Sequence, residues 1–187
     1  MPPTPEFTIG FWHPFGPHAG ETAEEIIGRK RREIEKNGWT LWSFQFRNTL
    51  ALWRQEIERA KPGKVLVFCS EGKGARDPVG ERKRCDYYLP VGETAHRRIP
   101  SEVEIPHPMG NRTKASAFIV KNIIYPTSHD AVPIEWLKNG EWQLTPLPTR
   151  PEYLVRPGRG SPMRKFRAVL ELQAPCLAEV GISAEIS

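Results

Sequence analysis

Lys61-Pro62-Gly63-Lys64-Val65-Leu66-Val67-Phe68-Cys69 is the stretch on which the fold turns. Its Lys-Pro-Gly start halts a helix, because proline cannot continue one and glycine readily leaves it. The run from Lys64 to Cys69 is short, apolar and rich in β-branched and aromatic side chains, the pattern of a strand of buried type. Upstream, Asn48 caps a helix that carries Leu50, Trp53, Ile57 and Ala60 at helical spacing. Before it, Trp39 to Phe46 reads as a strand with Trp42, Phe44 and Phe46 on one face and Trp39 on the other. Earlier still, Thr22 and Glu25 form a capping-box pattern, opening a helix that ends at Asn37-Gly38 with Ala23, Ile26, Ile27 and Ile34 as its apolar stripe. The alternating run Phe7 to Trp12 is a strand, followed by a proline- and glycine-rich loop from His13 to Gly20.

Downstream the pattern changes. Glu71 to Arg84 is a polar, basic connection; Ala117 to Tyr125 is a strand; and Phe166 to Leu172 alternates strictly and is another. Short strands are expected around Tyr87 to Val91 and Glu141 to Leu144, and one helical turn over Pro133 to Leu137. Proline makes up 19 of the 187 residues, about twice its average usage. None falls between Lys30 and Ala60, so a regular first third is set against a loop-rich remainder. The first 70 residues alternate strand and helix, as a parallel α/β three-layer sheet would. The later strands are joined by proline-rich loops rather than helices. An α+β domain, with a mixed β-barrel or strongly bent sheet and two long N-terminal helices outside it, accounts for the whole chain better. The expected organisation is one domain over 1–187, with a proline-rich arm at 1–6.

The formal charge of +5, from 27 Lys and Arg against 22 Asp and Glu, leans toward an anionic partner. A mean hydropathy of -0.51 and the lack of a long apolar run exclude a membrane-spanning helix. The start of the chain lacks the pattern of a signal peptide. Three cysteines, Cys69, Cys85 and Cys176, indicate no disulfide framework. A cytoplasmic protein, monomeric or weakly dimeric, is expected. Cys69 ends an apolar strand and reads as buried; Cys85, between Arg84 and Asp86, is the one in a basic setting that favours a thiolate.

The aromatic strand ending in Trp12, the helices, the Trp-containing strand and the turn Lys61-Pro62-Gly63-Lys64-Val65-Leu66-Val67-Phe68 together resemble the opening of PUA-like domains of the EVE and ASCH type. Lys64 stands where that family commonly has Asp, and the two helices are longer than the family suggests. The resemblance implies a small barrel whose cleft recognises RNA, or a modified base in RNA or DNA. Some ASCH members instead hydrolyse modified nucleosides.

Candidate site residues follow from what a base and its phosphate require. Splayed bases stack on flat side chains while basic residues follow the backbone. Trp12, Trp39 and Trp42 lie at or near strand ends where a cleft would collect them, although Trp is more often packed inside. Ser43 or Ser70 would read a base edge. Lys73, Arg76 and Arg82 would contact phosphates from the basic connection, which lacks the order of residues of a phosphate-binding P-loop. His13 and His18 flank Phe15-Gly16-Pro17 just before a helix, where they would add donors or act as acid and base; exposed loop histidines are the plainer reading. No third residue at ligand spacing joins them, so no metal or other cofactor is expected. Asp77 with Glu81 and Lys83 only faintly matches a nuclease metal site, since the strand it needs is missing. Arg29-Lys30-Arg31-Arg32 spreads around a helix and reads as a solvated surface. Arg150, Arg156, Arg159, Arg164 and Lys165 form the denser basic segment.

A nucleic-acid-binding module that accommodates a base, plain or modified, is therefore the leading expectation, with RNA or DNA as partner and no catalysis. Two alternatives stand beside it. One is a small hydrolase of a modified nucleoside or amide, with His13, His18 or Glu71 activating water. The other is a non-catalytic subunit of a larger assembly.

Overall fold

In the computed structural model the described residues are 6–16, 21–44, 50–71, 85–103, 105, 114–125, 131–145, 152–158 and 164–183. Strand β1 (Ile9–Phe15) leads to helix α1 (Ala23–Asn37), strand β2 (Thr40–Phe44), helix α2 (Leu50–Ala60) and strand β3 (Val65–Glu71). Then come β4 (Tyr87–Pro90), β5 (Arg97–Arg98), β6 (Lys114–Ile124), β7 (Ala131–Val132), β8 (Ile134–Lys138), β9 (Glu141–Gln143), β10 (Tyr153–Pro157), β11 (Arg164–Lys165) and β12 (Ala168–Gly181).

Local chemistry sets the ends of α1. The Thr22 side chain accepts from the Glu25 backbone N–H at 3.2 Å, and the Thr22 N–H donates back to the Glu25 carboxylate at 3.3 Å. At the other end Gly38 takes φ +84°, a left-handed conformation that costs glycine nothing, and its N–H closes on the Ile34 carbonyl. At 15 and 11 residues, α1 and α2 are of ordinary length, which corrects the expectation of a long pair.

The main sheet runs in the order β2-β6-β12-β3-β1-β10-β8-β9, with β4 and then β5 attached beside β12. Among the described residues it is open, ending at β2 and β9, and no pairing closes it into a barrel. β1 and β3 are parallel neighbours, with Gly10 beside Leu66 and His13 beside Cys69. The other pairings are antiparallel. Among the described residues the strand–helix alternation of the first 70 thus yields only one parallel pair, because β2 goes to the far edge and pairs antiparallel with β6. Both helices contribute to a single core, on one face, around Phe11, Val67, Phe118 and Leu170. The other face is covered by Trp12, Phe68, Trp136 and Phe166 at one end, and by Leu41, Tyr88, Val103 and Ile105 at the other. Helices on one face make the protein α+β and exclude the three-layer alternative.

Two segments depart from the sequence reading. Pro133 to Leu137 forms no helical turn: Ile134 to Lys138 is a strand, with Trp136 opposite Val155 of β10 and opposite Gln143 of β9. A proline starts either element equally well, and the Ile134–Trp136 alternation needed neighbours on both sides to become a strand. β12 also runs nine residues past Leu172, to Gly181. Its register with β6 slips between Leu172 and Leu177, and beyond that bulge β4 takes the edge that β3 held before it.

α1 also buries charge. Lys30 and Glu33 lie on its inner side, joined at 3.3 Å, and Glu33 meets Arg29 at 3.5 Å and the Thr40 hydroxyl at 3.4 Å. Arg29 in turn grips Glu21 at 2.8 Å and holds its carboxyl below the usual range. The basic run 29–32 is therefore not a uniformly solvated surface: Arg31 and Arg32 are exposed, whereas Lys30 is buried and Arg29 half-buried.

Candidate functional site

The chemistry collects where the carboxyl ends of β1 and β3 meet the start of β10. Strand alternation sends Phe11, His13 and Phe15 to the helix-covered face and Trp12 to the opposite one. Tyr153 pairs with Trp12, so Glu152, one residue earlier, arrives beside His13. The His13 Nδ1 lies 3.0 Å from Glu152 Oε1, and the Trp42 indole N–H, coming from β2, donates to His13 Nε2 at 3.1 Å. All three side chains are buried, with relative exposures of 5% for His13, 6% for Glu152 and 4% for Trp42. Phe15 lies parallel to the imidazole with centroids 6.1 Å apart, and Phe118 meets it edge-on at 5.8 Å.

These contacts fix the imidazole. A ring nitrogen that accepts from an indole N–H carries no proton, so His13 holds its proton on Nδ1 and donates it to Glu152. With Nε2 engaged by Trp42, the ring has no free lone pair and can act as a general base only after that bond breaks. Cys69, in register with His13 on the same face, supplies no nucleophile either: burial pushes its thiol far above the ordinary range. Tyr153 is likewise raised, first by burial and then by the Glu152 charge beside it.

Among the described residues, three buried side-chain atoms at this strand end have no hydrogen-bond partner: Glu152 Oε2, Trp12 Nε1 and Ser70 Oγ. Glu152 lies on the helix-covered face with His13. Trp12 and Ser70 lie on the other, because Trp12 is in register with Phe68 and Ser70 stands two residues further along β3. Leaving such a group unpaired costs about 1–3 kcal/mol, and buried polar atoms otherwise nearly always find partners.

The structure brings together His13, Trp42, Trp12 and Ser70 from the sequence-derived set. Trp12 (0% exposed) and Trp42 present no open ring face for stacking, and His13 is a buried, fully engaged residue rather than an exposed loop histidine. Trp39, just before β2, and Ser43, on β2, lie elsewhere and are half-buried, with Trp39 packed against Tyr88 at a centroid distance of 5.4 Å. His18, Lys73, Arg76 and Arg82 lie outside the described residues, as do Asp77, Glu81, Lys83, Arg150 and Arg159. Cys85 is buried rather than set in a basic surface. No cluster of three metal-ligating side chains occurs among the described residues, and no described helix is long and apolar enough to cross a membrane. Glu152 is the residue sequence reasoning missed. It stands 139 positions from His13, and an acid just before a strand carries no local signal.

Comparison of the chain with protein-family models, curated proteins and solved structures finds no match.

Proposed function

We propose that the chain is a nucleic-acid-binding module of the PUA-like kind, which accommodates a base, plain or modified, at the carboxyl ends of β1 and β3 beside Glu152. The observation that carries this reading is the buried, unpartnered Glu152 Oε2 on the helix-covered face beside His13; Trp12 Nε1 and Ser70 Oγ are unpartnered on the opposite face of the same strand ends. A buried acceptor left unpaired beside aromatic rings is what an N–H on the edge of a planar heterocycle would satisfy. The positive charge of the chain and the resemblance of its Lys61 to Phe68 turn to EVE and ASCH domains support the same conclusion. In this reading the protein works in the cytoplasm as a monomer or weak homodimer. Because Trp12 and Trp42 are covered, a base enters by displacing a side chain, and is read by its hydrogen-bonding edge rather than by stacking on an open ring.

Fluorescence anisotropy of labelled single- and double-stranded oligonucleotides, plain and carrying base modifications, tests the proposal at two salt concentrations. Saturable binding that weakens with salt, together with altered tryptophan emission, is expected. Absence of binding to every oligonucleotide at low salt overturns it.

A further inference from the structure

Resting on that reading, we infer that Glu152 is the acceptor that reads the base: its Oε2 takes an N–H from the hydrogen-bonding edge, while His13 acts as the positioning residue that aims it. Three features of the geometry lead here. Glu152 spends only Oε1 on the protein, accepting from His13 Nδ1–H at 3.0 Å, while Oε2 is buried and unpartnered. The carboxylate cannot turn to satisfy both oxygens elsewhere, because His13 is itself pinned by the Trp42 N–H at 3.1 Å. Phe15 and Phe118 hold the imidazole plane from its face and its edge. A chain of indole donor, imidazole relay and carboxylate is thus oriented to leave one anionic acceptor facing a group that the protein does not supply. An acceptor fixed in this way selects an amino or imino N–H and rejects an oxygen or a bare ring nitrogen at the same point. The ligand class is accordingly a base presenting an N–H donor to Oε2, such as the exocyclic amine of adenine or cytosine or the ring imino group of uracil.

The test uses the full chain and fluorescein-labelled homo-oligonucleotides of A, C and U. Each is compared with its counterpart in which the donor is methylated away (N6,N6-dimethyladenine, N4,N4-dimethylcytosine, N3-methyluracil). The best-bound sequence is expected to lose about tenfold or more in affinity on methylation, in line with the loss of a hydrogen bond to a charged acceptor. Glu152→Gln keeps an oxygen for His13 and places an amide NH2 where Oε2 stood. It is expected to cause a similar loss with the slope of affinity against salt unchanged, because no phosphate contact is removed. His13→Gln retains one donor and one acceptor and is expected to keep most of the affinity, whereas His13→Leu loses it. Rescue by glutamine separates positioning from simple space filling. Wild-type binding that is indifferent to methylation, or an E152Q protein that binds as wild type does, overturns the inference and leaves the binding module standing. Failure of the wild type to bind any oligonucleotide overturns the module, and this inference with it.

Discussion

The Trp42 indole N–H donates to His13 Nε2 at 3.1 Å, and through that bond a residue on the edge strand β2 decides the tautomer of a histidine on the central strand β1. Removing the donor while keeping an aromatic ring isolates the bond. Trp42→Phe leaves Nε2 buried without a partner and trims a ring that packs on Phe15 at 5.4 Å. The expected loss is about 2–4 kcal/mol of unfolding free energy, the sum of an unsatisfied buried acceptor and lost packing. Urea denaturation followed by circular dichroism checks it; a loss under about 0.5 kcal/mol would mean that the bond contributes little.

Gly10 sits where β1 comes closest to β3. A Cβ added there would lie 2.4 Å from the Leu66 carbonyl oxygen, a backbone atom that cannot move aside without opening the one parallel pairing. Gly10→Ala is expected to destabilise the protein by about 1–3 kcal/mol despite alanine's better strand entropy. Thermal unfolding of G10A beside a control at Gly63, where an added Cβ meets nothing within 4 Å, measures the difference.

Lys30 gives a pH signature of known sign. Burial pushes its ammonium down to about 8 from an ordinary 10.5, against the pull of Glu33. In that interval the unfolded chain holds the proton more tightly than the folded one. Stability therefore rises with pH from about 8 toward 10.5, and the full penalty for the buried charge is present below 8. The change totals roughly 3 kcal/mol at most. The thiols act in the opposite direction above pH 9, because burial raises Cys69 and pushes Cys176 up to about 11. Comparison with Lys30→Met cancels their contribution. The wild-type minus K30M stability difference is expected to climb between pH 8 and 10, and a flat difference would refute the assignment.

All three cysteines are buried and none is in a disulfide. Their burial predicts that a thiol reagent at pH 8 leaves the native protein unmodified over minutes and modifies all three sites once denaturant is added. Mass spectrometry counts the adducts. Rapid native labelling of Cys176, beside the exposed residues Gln173 and Ala174 in β12, would show that this bulge opens readily.

Elements whose signals are local were legible in the sequence. The Thr22–Glu25 pair and Gly38 bound α1 as their chemistry dictates, and the alternation of β1 and the apolar run of β3 survive as strands. The Pro133 to Leu137 segment was misread because its sequence admits two local answers, and β10 and β9 chose between them. The second half of β12 was missed because Pro175 interrupts the pattern, whereas β6 and β4 carry the pairing past it. In the candidate site, aromatic clustering pointed to Trp12 and Trp42 and to the loop-adjacent His13. It could not show that two of them lie on opposite faces or that His13 is enclosed.

By itself the sequence determined where α1 begins and ends and where α2 stops, whereas the Asn48 cap lies outside the described residues; it also determined the apolar stripe of α1 and that the chain carries a modest positive charge. Each of these depends on neighbours within a turn or two of the same segment. Only the tertiary structure decided that β2 leaves the parallel pair for the far edge, that Lys30 and Glu33 go inside, and that Glu152 meets His13 across 139 positions. Those outcomes depend on which segments share one core, and hydrogen bonds as directional as those of His13 form only after that packing has set their donors and acceptors face to face.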